Sequence, residues 1–100
     1  MDYFELETAV IDWAEQKGIL VKGTPMAQAI KTLEETAELC LAVNKNNKEE
    51  IKDALGDIMV TILIQAKMQN MSLEDCLESA YNVIIKRKGK MINGQFIKEE

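Results

Sequence analysis

Over residues 3–17 the apolar positions Phe4, Leu6, Val10, Trp13 and Ala14 recur near helical spacing, and Gly18 follows as a stop signal. A short connection, GILVKGTP, leads to Thr24 and Pro25, a cap and a first-turn proline that open a helix over 25–43. Its apolar stripe is Met26, Ile30, Leu33, Ala37, Cys40 and Leu41. The run NKNNK turns the chain, since asparagine accepts left-handed geometry and is a poor helix former. A third helix follows over 48–69, amphipathic at first around Ile51, Leu55, Ile58 and Ile62. Beyond Asp57 its apolar residues Val60, Ile62, Leu63, Ile64 and Ala66 surround most of the helix, which predicts cover on several sides and a subunit interface. Ser72 with Asp75 predicts a capped start for a fourth helix over 73–88. The tail 89–100 carries an Asn93-Gly94 turn signal of the kind that closes a small hairpin.

The pattern is all-α, four helices in one domain spanning 1–100, with neither repeat nor linker. Composition agrees: hydrophobic residues make up 47 % of the chain, aromatic residues only 5 %, and there is one proline. A chain of 100 residues buries only about 60–70 % of the surface its unfolded state exposes, so a second copy is expected to complete the core. The 17 acidic and 12 basic residues leave a net charge of −5, a field that repels nucleic acid and anionic membrane. An acidic N-terminus without a basic or apolar leader, and no run near the roughly 20 apolar residues of a membrane span, predict the cytoplasm. Cys40 and Cys76 lack zinc or redox spacing and are expected to be buried small hydrophobes. The chain has no histidine, which removes histidine-based triads and proton shuttles. What remains is chemistry built on carboxylates, lysines and a metal.

The carboxylates fall in two groups. Glu35 and Glu38 are three apart and Asp53 and Asp57 four apart, so each pair shares a helix face. A hairpin folded about Asn46 sets Glu38 level with Ala54 and Glu35 level with Asp57, at about 1.5 Å rise per residue. Acids converging between antiparallel helices repel unless a cation sits among them, and hard oxygen ligands suit Mg²⁺ or Mn²⁺. A solvated face is the competing explanation, because Glu35 and Glu38 lie opposite the stripe of Met26, Ile30, Leu33 and Ala37. Against it, Glu34 with Glu38 and Asp53 with Asp57 are like-charge i,i+4 pairs, each costing about 0.2–0.5 kcal/mol on an isolated helix. Trp13 reads more readily as core than as a base-stacking residue. Gly56 in mid-helix points to close packing of a neighbouring helix, beside the metal or elsewhere. Lys31 stands one turn before Glu35, as an i,i+4 partner or a substrate contact. The cations of KRKGK, residues 86–90, suit a helix C-terminus with Gly89 as cap.

QAIKTLEETAEL followed by IKDALGDIMVTI resembles the ExxE and ExxD pattern of the MazG-like, all-α nucleoside triphosphate pyrophosphohydrolases. The DWAEQKGIL helix and the segment AYNVIIKRKGKMINGQFIKEE look like the corresponding parts of short, often phage-related or Gram-positive members, so the resemblance covers nearly the whole chain. It implies a four-helix unit assembling into a homodimer or homotetramer, with nucleotide bound near the subunit boundary. The implied activity is Mg²⁺-dependent hydrolysis, with Mn²⁺ as a substitute, of an NTP or dNTP to the monophosphate and pyrophosphate, which would remove unwanted nucleotides. Glu35 and Glu38 match the ExxE acids and Asp57 the final aspartate, while the first ExxD acid falls on Ala54. Asp53 shares that face and is taken as the fourth metal ligand with Glu35, Glu38 and Asp57. Glu34 or Glu38 would act as base toward the attacking water. Lys31, Asn82, Lys86 and Arg87 would contact substrate, the last with a bidentate fork. The alternative is a relative impaired by the loss at Ala54 and kept as a helical module for nucleotide or protein binding.

Overall fold

The computed structural model describes residues 1–99, so Glu100, the last residue of the tail, lies outside the described residues. The helices are α1 (Tyr3–Gln16), α2 (Ile19–Lys22), α3 (Pro25–Lys45), α4 (Lys48–Met68) and α5 (Leu73–Ile84), followed by strands β1 (Gly89–Ile92) and β2 (Gln95–Lys98). The all-α class is thus correct, with a two-stranded antiparallel hairpin appended.

Local chemistry explains the boundaries. Asp2 and Glu5 form a reciprocal capping box on α1. Gly18, at φ +77°, takes the left-handed turn into α2, one helical turn that the sequence pattern reads as mere connection. Thr24 accepts the Ala27 N–H at 3.1 Å and Pro25 fills the first helical position of α3. Asn46 ends α3 in left-handed geometry, and the Asn47 side chain caps α4 by accepting the Glu50 N–H at 3.1 Å. Ser72 caps α5 from the Asp75 N–H at 3.3 Å.

α5 stops at Ile84 rather than 88, and Gly89 is not its cap. The reason is the hairpin: the Lys88 carbonyl accepts from the Glu99 N–H at 2.7 Å, and Gly89 pairs with Lys98. A Cβ at Gly89 would collide with the Ile97 carbonyl and the Phe96 ring, so glycine is there for close approach. Asn93 and Gly94 both have positive φ, 50° and 82°, as a tight two-residue hairpin turn requires.

α4 is the central helix and packs against α1, α2, α3 and α5. Of its all-round apolar half, Leu63, Ile64 and Ala66 are buried within the chain, while Val60 and Ile62 stay half-buried. The core is thin: Ala14, Ala42, Ala54, Leu63, Ile64 and Ala66. Leu63 and Ile64, its two large side chains, contribute about 1.5–3 kcal/mol each.

Packing also reverses the expected orientation of α3. The shielded face carries Gln28, Thr32, Glu35, Leu39 and Ala42, while Met26 and Leu33 of the apolar stripe are each 71 % exposed. Cys40 and Cys76 are exposed, and Trp13, at 47 % exposure, is outside the core. The apolar stripe of α5, including Leu77, Tyr81 and Ile84, is likewise exposed, and the hairpin packs on no other element among the described residues. The α5–hairpin arm thus projects from the body. The radius of gyration is 15.8 Å, against about 13 Å for a compact chain of this length.

Gly56 has no atom of another element near its would-be Cβ, so no helix of the same chain approaches there. Gly56→Ala is expected to raise stability by about 1 kcal/mol through helix propensity alone, read as a higher urea midpoint at unchanged slope. A loss of stability instead would reveal a second copy packed against that position.

Candidate active site

The tight Asn46–Asn47 turn sends α4 back along α3, so residues equidistant from the turn meet. Glu35 and Glu38 on α3 and Asp57 on α4 converge there, each offering one carboxylate oxygen, with all three oxygens within 4.8 Å of one another. While Glu38 and Asp57 are exposed, Glu35 is half-buried in the seam between the helices, which a solvated face does not explain. Its Oε2 is shut off from solvent and has no hydrogen-bond partner. A buried carboxylate oxygen left unpaired is costly, and like charges around it make it costlier.

The triad opens into a trough of about 380 Å³ that runs toward the turn, bounded by Glu38, Leu41, Lys45, Glu50, Asp53 and Asp57. Ala54, only 4 % exposed, forms part of its floor where the ExxD pattern has its first acid. Asp53 lines the trough from the outer side of α4 but contributes no oxygen to the converging set. Glu34 points elsewhere, held 3.3 Å from Lys31, so the i,i+4 pairing of Lys31 with Glu35 gives way to an i,i+3 pair. Lys86 and Arg87 line a separate trough with Lys88, Lys98 and Glu99, and Asn82 is exposed on α5. Within one chain these three residues are not brought to the acids.

Lys45 is the residue the sequence pattern passed over. It is the cation of the acidic trough, 3.7 Å from Glu50 across the turn. The available signal was its position two turns after Glu38 on the same side of α3.

Loss of solvation raises the Glu35 carboxyl above the ordinary value of 4.5, and the nearness of Glu38 and then of Asp57 adds to this, against a smaller opposing pull from Lys31. Folding therefore binds the Glu35 proton more tightly than the unfolded chain does. The stability this lends the metal-free protein is fully present below about pH 4.5 and is lost as pH rises through the elevated folded value. Compared with Glu35→Gln in EDTA, wild type should lose melting temperature as pH climbs from 4.5 toward neutrality. Mg²⁺ at neutral pH should reverse that loss in wild type only, as followed by circular dichroism.

The comparisons with known proteins agree with this geometry. A family model described as the MazG nucleotide pyrophosphohydrolase domain matches residues 24–92, the span that holds all three converging acids. A protein of Haemophilus phage HP1 (strain HP1c1), described as an uncharacterized 18.2 kDa protein in the rep-hol intergenic region, is 39 % identical over 70 residues. That match takes in 70 % of this chain and 43 % of the phage protein, so the chain spans less than half the length of this relative. No solved structure matches the chain.

Proposed function

Because the chain belongs to the MazG nucleotide pyrophosphohydrolase family, we propose that it hydrolyses a nucleoside or deoxynucleoside triphosphate to the monophosphate and pyrophosphate, clearing unwanted nucleotides. The observation that carries this reading is the unpaired, solvent-excluded Oε2 of Glu35 inside a cluster of three carboxylates. Such an oxygen fits a hard divalent cation, Mg²⁺ or Mn²⁺, better than it fits solvent.

Glu35, Glu38 and Asp57 would hold the ion, with Asp53 on the trough wall as the candidate fourth ligand. A bound divalent ion supplies charge neutralisation for the triphosphate and a lowered pKa for a coordinated water. The protein's own part is to fix the acids at one height and to line the approach with Lys45. Of the two candidate bases, Glu38 is favoured, since it stands in the cluster while Glu34 is paired with Lys31.

The active form is a homodimer or homotetramer, working in the cytoplasm. Support comes from the bare apolar faces of α3 and α5 and from an α5–hairpin arm that finds little partner in its own chain. Asn82, Lys86 and Arg87 then reach the substrate phosphates of a second copy. Among the described residues no helix is long and apolar enough to cross a membrane.

One observation favours a second reading. Ala54 stands buried where the pattern has an acid, so the chain could bind nucleotide or a protein without turnover. Pyrophosphate release from a panel of NTPs and dNTPs, with Mg²⁺ or Mn²⁺ and with EDTA, separates the two. Metal-dependent release supports the hydrolase, and a folded protein silent toward every nucleotide supports the module.

A further inference from the structure

We propose that the hydroxyl pair of half-buried Thr32 and buried Thr61, together with Gln28, is a positioning device that sets the register of α3 on α4 and thereby the spacing of the three acids. The inference rests on the metal-centre reading above and adds to it residues outside the acid motif. Gln28 and Thr61 are the buried polar residues of the described chain. Both lie in the seam that continues into Glu35 and Asp57.

The bonds form a directed chain. The Thr32 hydroxyl donates to Thr61 Oγ1 at 2.9 Å, and the Thr61 hydroxyl donates in turn to the Ile58 carbonyl at 2.7 Å. Gln28 Nε2 donates to the Thr61 carbonyl at 3.2 Å. The turn of α4 that begins beside Asp57 is thus tied at both its first and last carbonyl, and its hydroxyl is tied to α3. Thr32 precedes Glu35 by three residues and Thr61 follows Asp57 by four, about 4.5 and 6 Å along the axes.

Elsewhere the seam holds apolar residues, Leu39, Ala42 and Ala54 among them, whose burial is non-directional. A shift of one residue turns a helical side chain by about 100°, enough to carry Asp57 out of reach of Glu35 and Glu38. Apolar residues would hold these helices together without choosing a register. Hydrogen bonds across the seam favour one: in any other register the Gln28 amide and the Thr61 hydroxyl oxygen lose their partners, although each threonine hydroxyl keeps a carbonyl of its own helix, Gln28 at 3.3 Å and Ile58 at 2.7 Å. Thr61 and Thr32 lie outside the converging acids and the trough beside them, and act through the acids they align.

The test is Mn²⁺ binding to the full chain without nucleotide, followed by loss of the free-ion paramagnetic resonance signal. Thr61→Val, equal in shape but lacking the hydroxyl, should weaken Mn²⁺ binding about tenfold, and Thr61→Ser should restore it to within about twofold of wild type. Leu63→Ala, which weakens the same helix away from the seam, should lower the melting temperature yet leave Mn²⁺ affinity unchanged. If Thr61→Val does not fold, Thr32→Val at the half-buried end of the pair carries the same expectation. Wild-type affinity in whichever of these valine variants folds overturns the positioning role while leaving the metal centre intact. Wild-type protein that binds no Mn²⁺ overturns the metal centre itself, and the positioning role with it.

Discussion

Asp57→Asn and Glu38→Gln should each lower the rate of pyrophosphate release by about a thousandfold or more, the loss expected when several kcal/mol of metal-ion stabilisation disappears from the transition state. Each change removes one carboxylate oxygen from a set of three held within 4.8 Å. The amides keep the shape of the acids and can still accept a hydrogen bond, so α3 and α4 stay paired. They also remove one of the negative charges pressing on Glu35, and the metal-free variants should therefore melt no lower than wild type in EDTA. That combination, lost turnover with retained or raised melting temperature, separates a missing ligand from a missing fold. Asp53→Asn is the informative companion. It should be nearly as damaging if Asp53 stands in for the acid absent at Ala54, and wild-type activity there would remove it from the ligand set.

Two inactive variants should regain activity when mixed. Glu38→Gln disables the acids, and Arg87→Ala disables the basic arm, which lines a trough apart from those acids in its own chain. If the arm of one copy serves the acids of the next, a hybrid dimer contains one site with both defects and one with neither. Random exchange would then return about a quarter of wild-type activity from two preparations that have almost none. The measurement is pyrophosphate release after co-refolding equal amounts of the two variants. Activity no greater than the average of the parents would place arm and acids in the same copy, or leave Arg87 without a role at the site.

The local part of the fold was legible because its signals act over a few residues. Thr24 with Pro25, Asn46 with Asn47, Ser72 with Asp75, and Asn93 with Gly94 each behave as their side chains and backbone preferences dictate. The level pairing of Glu35 with Asp57 was legible for the same reason, since it needs only a helical rise and a turn of known length. The reach of α5 was misread because Gly89 and Lys88 belong to a hairpin whose other strand lies beyond the turn at Asn93 and Gly94. Helix propensity at residues 85–88 competes with that pairing, and the pairing wins.

Sequence alone therefore determined where the four longer helices begin, the turn between α3 and α4, and the height at which the acids stand. Tertiary structure decided which way α3 faces. An apolar stripe marks a face that must be covered, but not by which surface. In this chain Met26, Ile30 and Leu33 turn outward, while Gln28, Thr32 and Glu35 turn toward α4. That orientation brings Gln28 and Thr32 within hydrogen-bond reach of Thr61, about thirty positions away, and no local signal reports such a pairing. The same orientation strips solvent from Glu35 and leaves its Oε2 without a partner, which an acid on a solvated face would not be.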